Sequence, residues 1–178
     1  MSRTWGTRPQ ERSLPFPCDR FVQHFHAEYY RAITIRARPE TIFRWLCQMR
    51  VAPYSYDWID NLGRRSPQRL TPGMDELAFG QTFMYGFELI DFELNRQLTI
   101  RSKPGLFIAR IFGDILVSYL IFPHALTDCR LLVKLIVRHV RGPTGWLMRV
   151  FLPWGDLIMM RRQLLNFKML AERRQNGV

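Results

Sequence analysis

The stretch Arg130–Val140, RLLVKLIVRHV, followed by Gly142-Pro143 and then by Trp154–Arg174, WGDLIMMRRQLLNFKMLAERR, decides the fold. In an extended chain Leu131, Val133, Leu135, Val137 and His139 fall on one face, while Arg130, Lys134 and Arg138 fall on the other. That alternation predicts an antiparallel strand with one buried face and one wet face. After the Gly-Pro break, Trp146–Leu152 reads as helical and Pro153 kinks or restarts a helix running to about Arg174. A long strand closed by one terminal helix reads as α+β.

Working upstream, Ile115–Phe122 is a second apolar strand, joined to the first by a turn over 123–128. If that turn pairs Ile121 with Leu131, then Ile115, Val117 and Tyr119 share the inner face with Val133, Leu135 and Val137. Phe87–Leu94 and Leu98–Lys103 flank Asn95-Arg96-Gln97, a hairpin signal, and Gln81–Tyr85 precedes them. Tyr30–Ala37 alternates as a first strand. Pro39–Gln48 follows as an amphipathic helix with proline in its first turn, and a short helix is expected near Tyr56–Leu62. Residues 1–28 hold Pro9, Pro15 and Pro17 without apolar period and read as an arm. Residues 29–174 form the domain and 175–178 a tail. The expected architecture is a curved antiparallel sheet of six to seven strands around a long C-terminal helix, with two short helices after the first strand.

Two blocks carry a resemblance. Ala52–Gly80, APYSYDWIDNLGRRSPQRLTPGMDELAFG, looks like the WYSYDWLDN…GR…P…L…G block of a bacterial branch of the START-like, polyketide-cyclase-like superfamily, with Pro53 where that branch has tryptophan. Residues 87–103, FELIDFELNRQLTIRSK, resemble the superfamily's strand–turn–strand hairpin, with Arg96 and Leu98 in place. The resemblance implies the helix-grip fold and a hydrophobic cavity. It covers carriers, receptors and cyclases alike, so it does not fix a function.

Composition narrows the classes. The 178 residues are 47% hydrophobic and 13% aromatic, which suits one domain with a core and excludes a disordered chain. No charge-free apolar run exceeds Ile115–Thr127, too short for a spanning helix of about 20 residues. Met1–Arg12 is polar and lacks the apolar region of a secretory signal, so a cytoplasmic protein is expected. Cys18, Cys47 and Cys129 are too scattered for a disulfide framework or zinc site. Net charge is +11, and from Arg130 onward ten basic residues face two acidic ones. That excess suits an anionic partner or a solvated basic face.

Candidate ligand-binding residues follow from parity and helical spacing. Tyr119, Val133, Leu135 and His139 lie on the inner strand row, and a buried Tyr119 phenol needs a polar partner. Trp154, Leu157, Ile158, Arg161, Leu164, Leu165 and Lys168 form one helical stripe. Arg161 and Lys168 either hold a carboxylate or phosphate headgroup or lay their stems on the core with charges in water. Tyr54, Tyr56 and Trp58, with Phe83, Tyr85 and Phe87, supply further aromatic wall. Apolar groups around the rest of the last helix ask for a second cover: the arm, a dimer mate or a membrane surface.

Asp57 and Asp60 share a face on the short helix, as a cap or solvated pair, and His24 and His26 lack a third ligand for a metal. There is no GxSxG, P-loop, HExxH or GxGxxG motif. No catalytic residue, metal or cofactor is therefore assigned. The leading expectation is binding or transport of a hydrophobic or amphipathic small molecule such as a lipid, polyketide or isoprenoid. The rivals are a cyclase or dehydratase in the same cavity, with Tyr54, Tyr56, Tyr85, Tyr119 and His139 as acid–base candidates, and a peripheral membrane or partner-binding protein using Trp146, Leu147, Arg149, Phe151, Trp154, Arg161 and Arg162. Nucleic acid is an unlikely partner because only charge supports it.

Overall fold

A computed structural model describes residues 3–22, 27–61, 63–106, 113–125, 128–138 and 143–173. The elements in chain order are β1 (Thr4–Trp5), α1 (Pro9–Arg12), a 3-10 turn (Pro17–Phe21), β2 (Ala27–Ile35), α2 (Pro39–Cys47), a 3-10 turn (Gln48–Arg50), α3 (Asp57–Asp60), β3 (Thr82–Phe83), β4 (Phe87–Glu93), β5 (Gln97–Ser102), β6 (Asp114–Pro123), β7 (Cys129–Arg138) and α4 (Pro143–Arg173). The expected α+β architecture is present. Seven strands form one sheet in the order β1-β2-β7-β6-β5-β4-β3, and two short helices, α2 and α3, follow β2. Among the described residues only the two-residue β1 runs parallel to its neighbour, so the sheet is mixed at that edge.

Ile121 pairs with Leu131, and Tyr119, Val117 and Ile115 pair with Val133, Leu135 and Val137, as the turn predicts. Glu93 pairs with Gln97 across the hairpin, whose Asn95 sits at φ 60, a conformation asparagine tolerates better than most residues. The inner face of the sheet, α2 and α4 share one core containing Tyr29, Ile35, Phe43, Leu98, Val117, Leu131, Val133, Leu164 and Phe167.

The outer face of β7 departs from the expected wet surface, because the arm covers it. Phe16 and Cys18 pack with Ala32, Leu116, Leu132 and Ile136 in a second apolar layer. Two of the three cations of that face, Arg130 and Lys134, are buried and paired, while Arg138 is exposed. Arg130 makes a two-point contact with Glu11, Nε to Oε1 at 2.7 Å and Nη2 to Oε2 at 2.8 Å, and also donates to the Gly6 carbonyl at 2.8 Å. Lys134 Nζ lies 2.6 Å from Asp19 and 3.1 Å from Glu28. Burial opposes the lysine's charge, but Asp19, Glu28 and Tyr30 outweigh it and hold its pKa above the ordinary value. The reason is stoichiometric: alternating cations on a strand need counterions when covered, and the arm supplies both cover and carboxylates. At Gly6, φ is 71 and an added Cβ would lie 2.1 Å from the Ala32 carbonyl oxygen, so only glycine lets the arm lie this close to β2.

The last helix also differs from expectation. It is one element running through Pro153. Its buried side is Met160, Gln163, Leu164, Phe167, Leu170 and Ala171, whereas Trp154, Ile158 and Leu165 are exposed. The expected stripe is therefore rotated, and of its members Leu164 alone is fully buried. Polar residues, Asp156, Gln163 and Asn166, also turn inward, which disguises that side in the sequence. No helix among the described residues is long and apolar enough to cross a membrane.

Candidate functional site

The inward side of α4 lays three polar groups on the inner core. Asp156 meets Arg31 of β2, Oδ2 to Nη2 at 2.6 Å, with both side chains buried. Arg31 falls on the inner parity of β2 with Tyr29 and Ile33, donates from Nη1 to the Tyr30 carbonyl at 2.9 Å, and stands 5.9 Å from the Tyr29 ring. Burial pushes the Asp156 carboxyl up to about 6, with the Arg31 charge pulling the other way.

Two turns further along, Gln163 accepts from the Tyr119 hydroxyl at 2.8 Å and donates to the Pro53 carbonyl at 2.6 Å. Burial, and then the Asp156 charge, hold the Tyr119 phenol far above its usual range. Asn166 donates to the Tyr54 carbonyl at 2.7 Å. Two amides of α4 thus pin consecutive carbonyls and hold Tyr54 at φ 58, a costly backbone region for a bulky residue. The bonds use backbone atoms, which any residue at position 53 supplies. The Tyr54 ring lies edge-on to Trp45 at 6.0 Å and tilted against Phe167 at 5.5 Å. Its buried hydroxyl has no hydrogen-bond partner among the described residues, and burial raises its pKa.

Of the sequence candidates, Tyr54, Phe83, Tyr119, Val133, Leu135 and Leu164 come together in the inner core, with Phe87 packed against it. Tyr56 lies under the Arg162 guanidinium at 6.0 Å. Trp58, Tyr85, Trp154 and Ile158 are exposed, Tyr85 donating to Asn61 Oδ1 at 3.0 Å. Arg161 is exposed, 5.8 Å from the Trp5 ring. Lys168 donates to the Thr34 carbonyl at 2.7 Å and pairs with Glu172 at 3.2 Å. Asp57 accepts from the Ser66 amide at 2.9 Å, anchoring the loop after α3. His139, His24 and His26 lie outside the described residues, as do the side chains of Asp60, Trp146, Leu147, Arg149 and Phe151. Among the described residues no group of three or more His, Cys, Asp and Glu gathers to hold a metal ion.

Arg31, Asp156 and Gln163 were not among the candidates. Arg31 on the apolar parity of a strand, and Asp156 as one of two acids from Arg130 onward, were the available signals.

No family model matches the chain, and no curated protein matches it. Solved structures match its fold. The ZhuI aromatase/cyclase from a Streptomyces species superposes with a TM-score of 0.56 at 13% identity, over 86% of this chain and 98% of that one. The chain has a polyketide-cyclase-like helix-grip fold. The di-domain aromatase/cyclase StfQ of the steffimycin biosynthetic pathway matches this helix-grip chain with a TM-score of 0.55 at 10% identity, over 85% of this chain and 52% of StfQ. Truncated norcoclaurine synthase from Thalictrum flavum gives 0.50 at 10% identity, over 84% and 95%. At these identities the likeness is one of fold.

Proposed function

We propose that this helix-grip protein binds a hydrophobic or amphipathic small molecule, of lipid, polyketide or isoprenoid type, between the inner sheet face and α4. The observation that carries the reading is Tyr54: a buried phenol without a partner, held in a strained backbone by two helix amides, on a wall of aromatic rings. A buried unpaired hydroxyl costs about 1–3 kcal/mol, which a ligand acceptor offsets. The fold shared with two aromatase/cyclases supports the same class of ligand. The three buried, unbridged cysteines suit a reducing cytoplasm. Native mass spectrometry of the purified protein, then denaturation, tests this. An apolar ligand is expected to be released, and Tyr54→Phe should weaken its retention. An empty protein that also ignores the neutral probe phenylnaphthylamine would sink the reading.

A cyclase or dehydratase acting in the same interior is the second reading, favoured by the Arg31–Asp156 pair. A carboxyl near 6 serves as acid or base around neutrality. A third uses the outer side of α4, where Trp154, Ile158, Leu165 and Met169 are exposed beside Arg161 and Arg162. It expects salt-sensitive binding to vesicles containing anionic lipid, and no binding to neutral vesicles.

A further inference from the structure

At the far end of α4 an open cleft of about 440 Å³ is lined by Trp45, Gln68, Arg69, Leu70, Leu170 and Arg173. We propose that it is a second binding site, for a small organic anion with a flat apolar body, whose acid group is held by Arg69 and Arg173.

The charge balance is the first argument. Arg31, Arg130 and Lys134 each have a carboxylate partner, but Arg69 and Arg173 form no ion pair among the described residues. The acid beside Arg173 in sequence, Glu172, is committed to Lys168 at 3.2 Å and to the Arg36 amide at 2.9 Å. Two guanidinium groups without a counterion line one concave surface, and guanidinium matches carboxylate, sulfonate and phosphate oxygens in a planar, two-point manner.

The floor is the second. Trp45 and Leu170 are buried core residues that line the cleft, and Leu70 joins them. The buried Trp45 indole N–H has no acceptor among the described residues. An apolar floor flanked by cations selects an amphipathic anion over a bare inorganic one. The volume is that of a small-molecule site, about 300–1,000 Å³.

Rigidity is the third. The Gln48 amide clasps Thr71 in both directions, accepting from its N–H at 2.9 Å and donating to its carbonyl at 3.2 Å. Arg50 donates to the carbonyls of Gly73, Met74 and Glu76 at 3.1–3.2 Å. The loop bearing Arg69 is thereby fixed to the end of α2, so the site is preformed. Trp45 separates this cleft from the interior around Tyr54, and the proposal does not depend on what the interior binds.

Calorimetric titration with anilinonaphthalene sulfonate tests it, with neutral phenylnaphthylamine as the comparison probe. The sulfonate should bind one to one and weaken with added salt. Arg69→Gln and Arg173→Gln should each lower its affinity about tenfold, the loss of one charge-assisted contact, with the thermal midpoint and any phenylnaphthylamine affinity unchanged. Sulfonate affinity that survives both substitutions would overturn the proposal. So would an equal loss of both probes, which marks a general disturbance rather than lost anion contacts.

Discussion

Arg31 on β2 and Asp156 on α4 meet at 2.6 Å, joining the first long strand to the last helix through a buried ion pair. Removing one partner leaves the other charge buried and uncompensated, at a cost of about 3–5 kcal/mol. Asp156→Ala should therefore lower the urea midpoint sharply. Replacing both, as Arg31→Met with Asp156→Leu, should recover most of that loss, because no lone charge remains. A double variant as unstable as the single one would show that packing rather than charge holds this contact.

The same pair sets a pH dependence. The Asp156 carboxyl, ordinarily near 3.8, titrates at about 6 in the folded protein. Between those values the folded state keeps a proton that the unfolded chain has lost. The stabilisation is complete below the unfolded value and disappears as pH rises through 6. Unfolding free energies of wild type minus Asp156→Asn should fall over that interval and be level above it. A difference that rises with pH there would mean that Arg31, not burial, dominates the carboxyl.

Tyr119→Phe removes the hydroxyl that Gln163 accepts and leaves the amide oxygen buried without that donor. A loss of about 1–3 kcal/mol is expected. Gln163→Leu should cost more than Tyr119→Phe, because it also strips the Pro53 carbonyl of its donor.

The arm is part of the folded unit, and two substitutions test this. Phe16→Ala should cost about 3–5 kcal/mol and open residues 3–22 to limited proteolysis. Gly6→Ala should release β1 with little effect on the inner core, since the added methyl would collide with the Ala32 carbonyl. Equal protease resistance in both variants and wild type would refute the arm's docking.

All three thiols should be silent toward an aromatic disulfide reagent in the native protein. Burial pushes Cys18 up to about 11 and Cys47 up to about 12, and raises Cys129 as well, so little thiolate exists near neutral pH. In denaturant all three should react at once. Rapid native labelling of any one would contradict its burial.

The sheet was legible because its information is local. The alternation of β7, the turn residues and the Asn95 hairpin fix parity and register within a few residues, and Ile121 opposite Leu131 follows. The inward side of α4 was not, because Asp156 and Gln163 are polar and each is satisfied by a group more than a hundred residues away. A helical pattern read alone treats them as solvent-facing and rotates the stripe toward Trp154 and Arg161. The covered face of β7 was hidden for a similar reason: Arg130 and Lys134 look wet until Glu11 and Asp19 are known to lie over them. Of the interior, aromatic positions such as Tyr54, Phe83 and Tyr119 were readable. The charged pair across it was not.

The register of β2 against β7 has a consequence for synthesis. Ala27 lies opposite Val137 and Ile35 opposite Cys129, and the carboxylates of the arm also wait for cations on β7. A ribosome must deliver roughly a hundred further residues before the arm and β2 have anything to close upon. The segments made first are therefore among the last to be buried, and the nascent chain carries an apolar strand edge through most of its translation. Closure of β2 and of the arm therefore waits for β7, and stepwise folding ahead of β7 is not open to this topology.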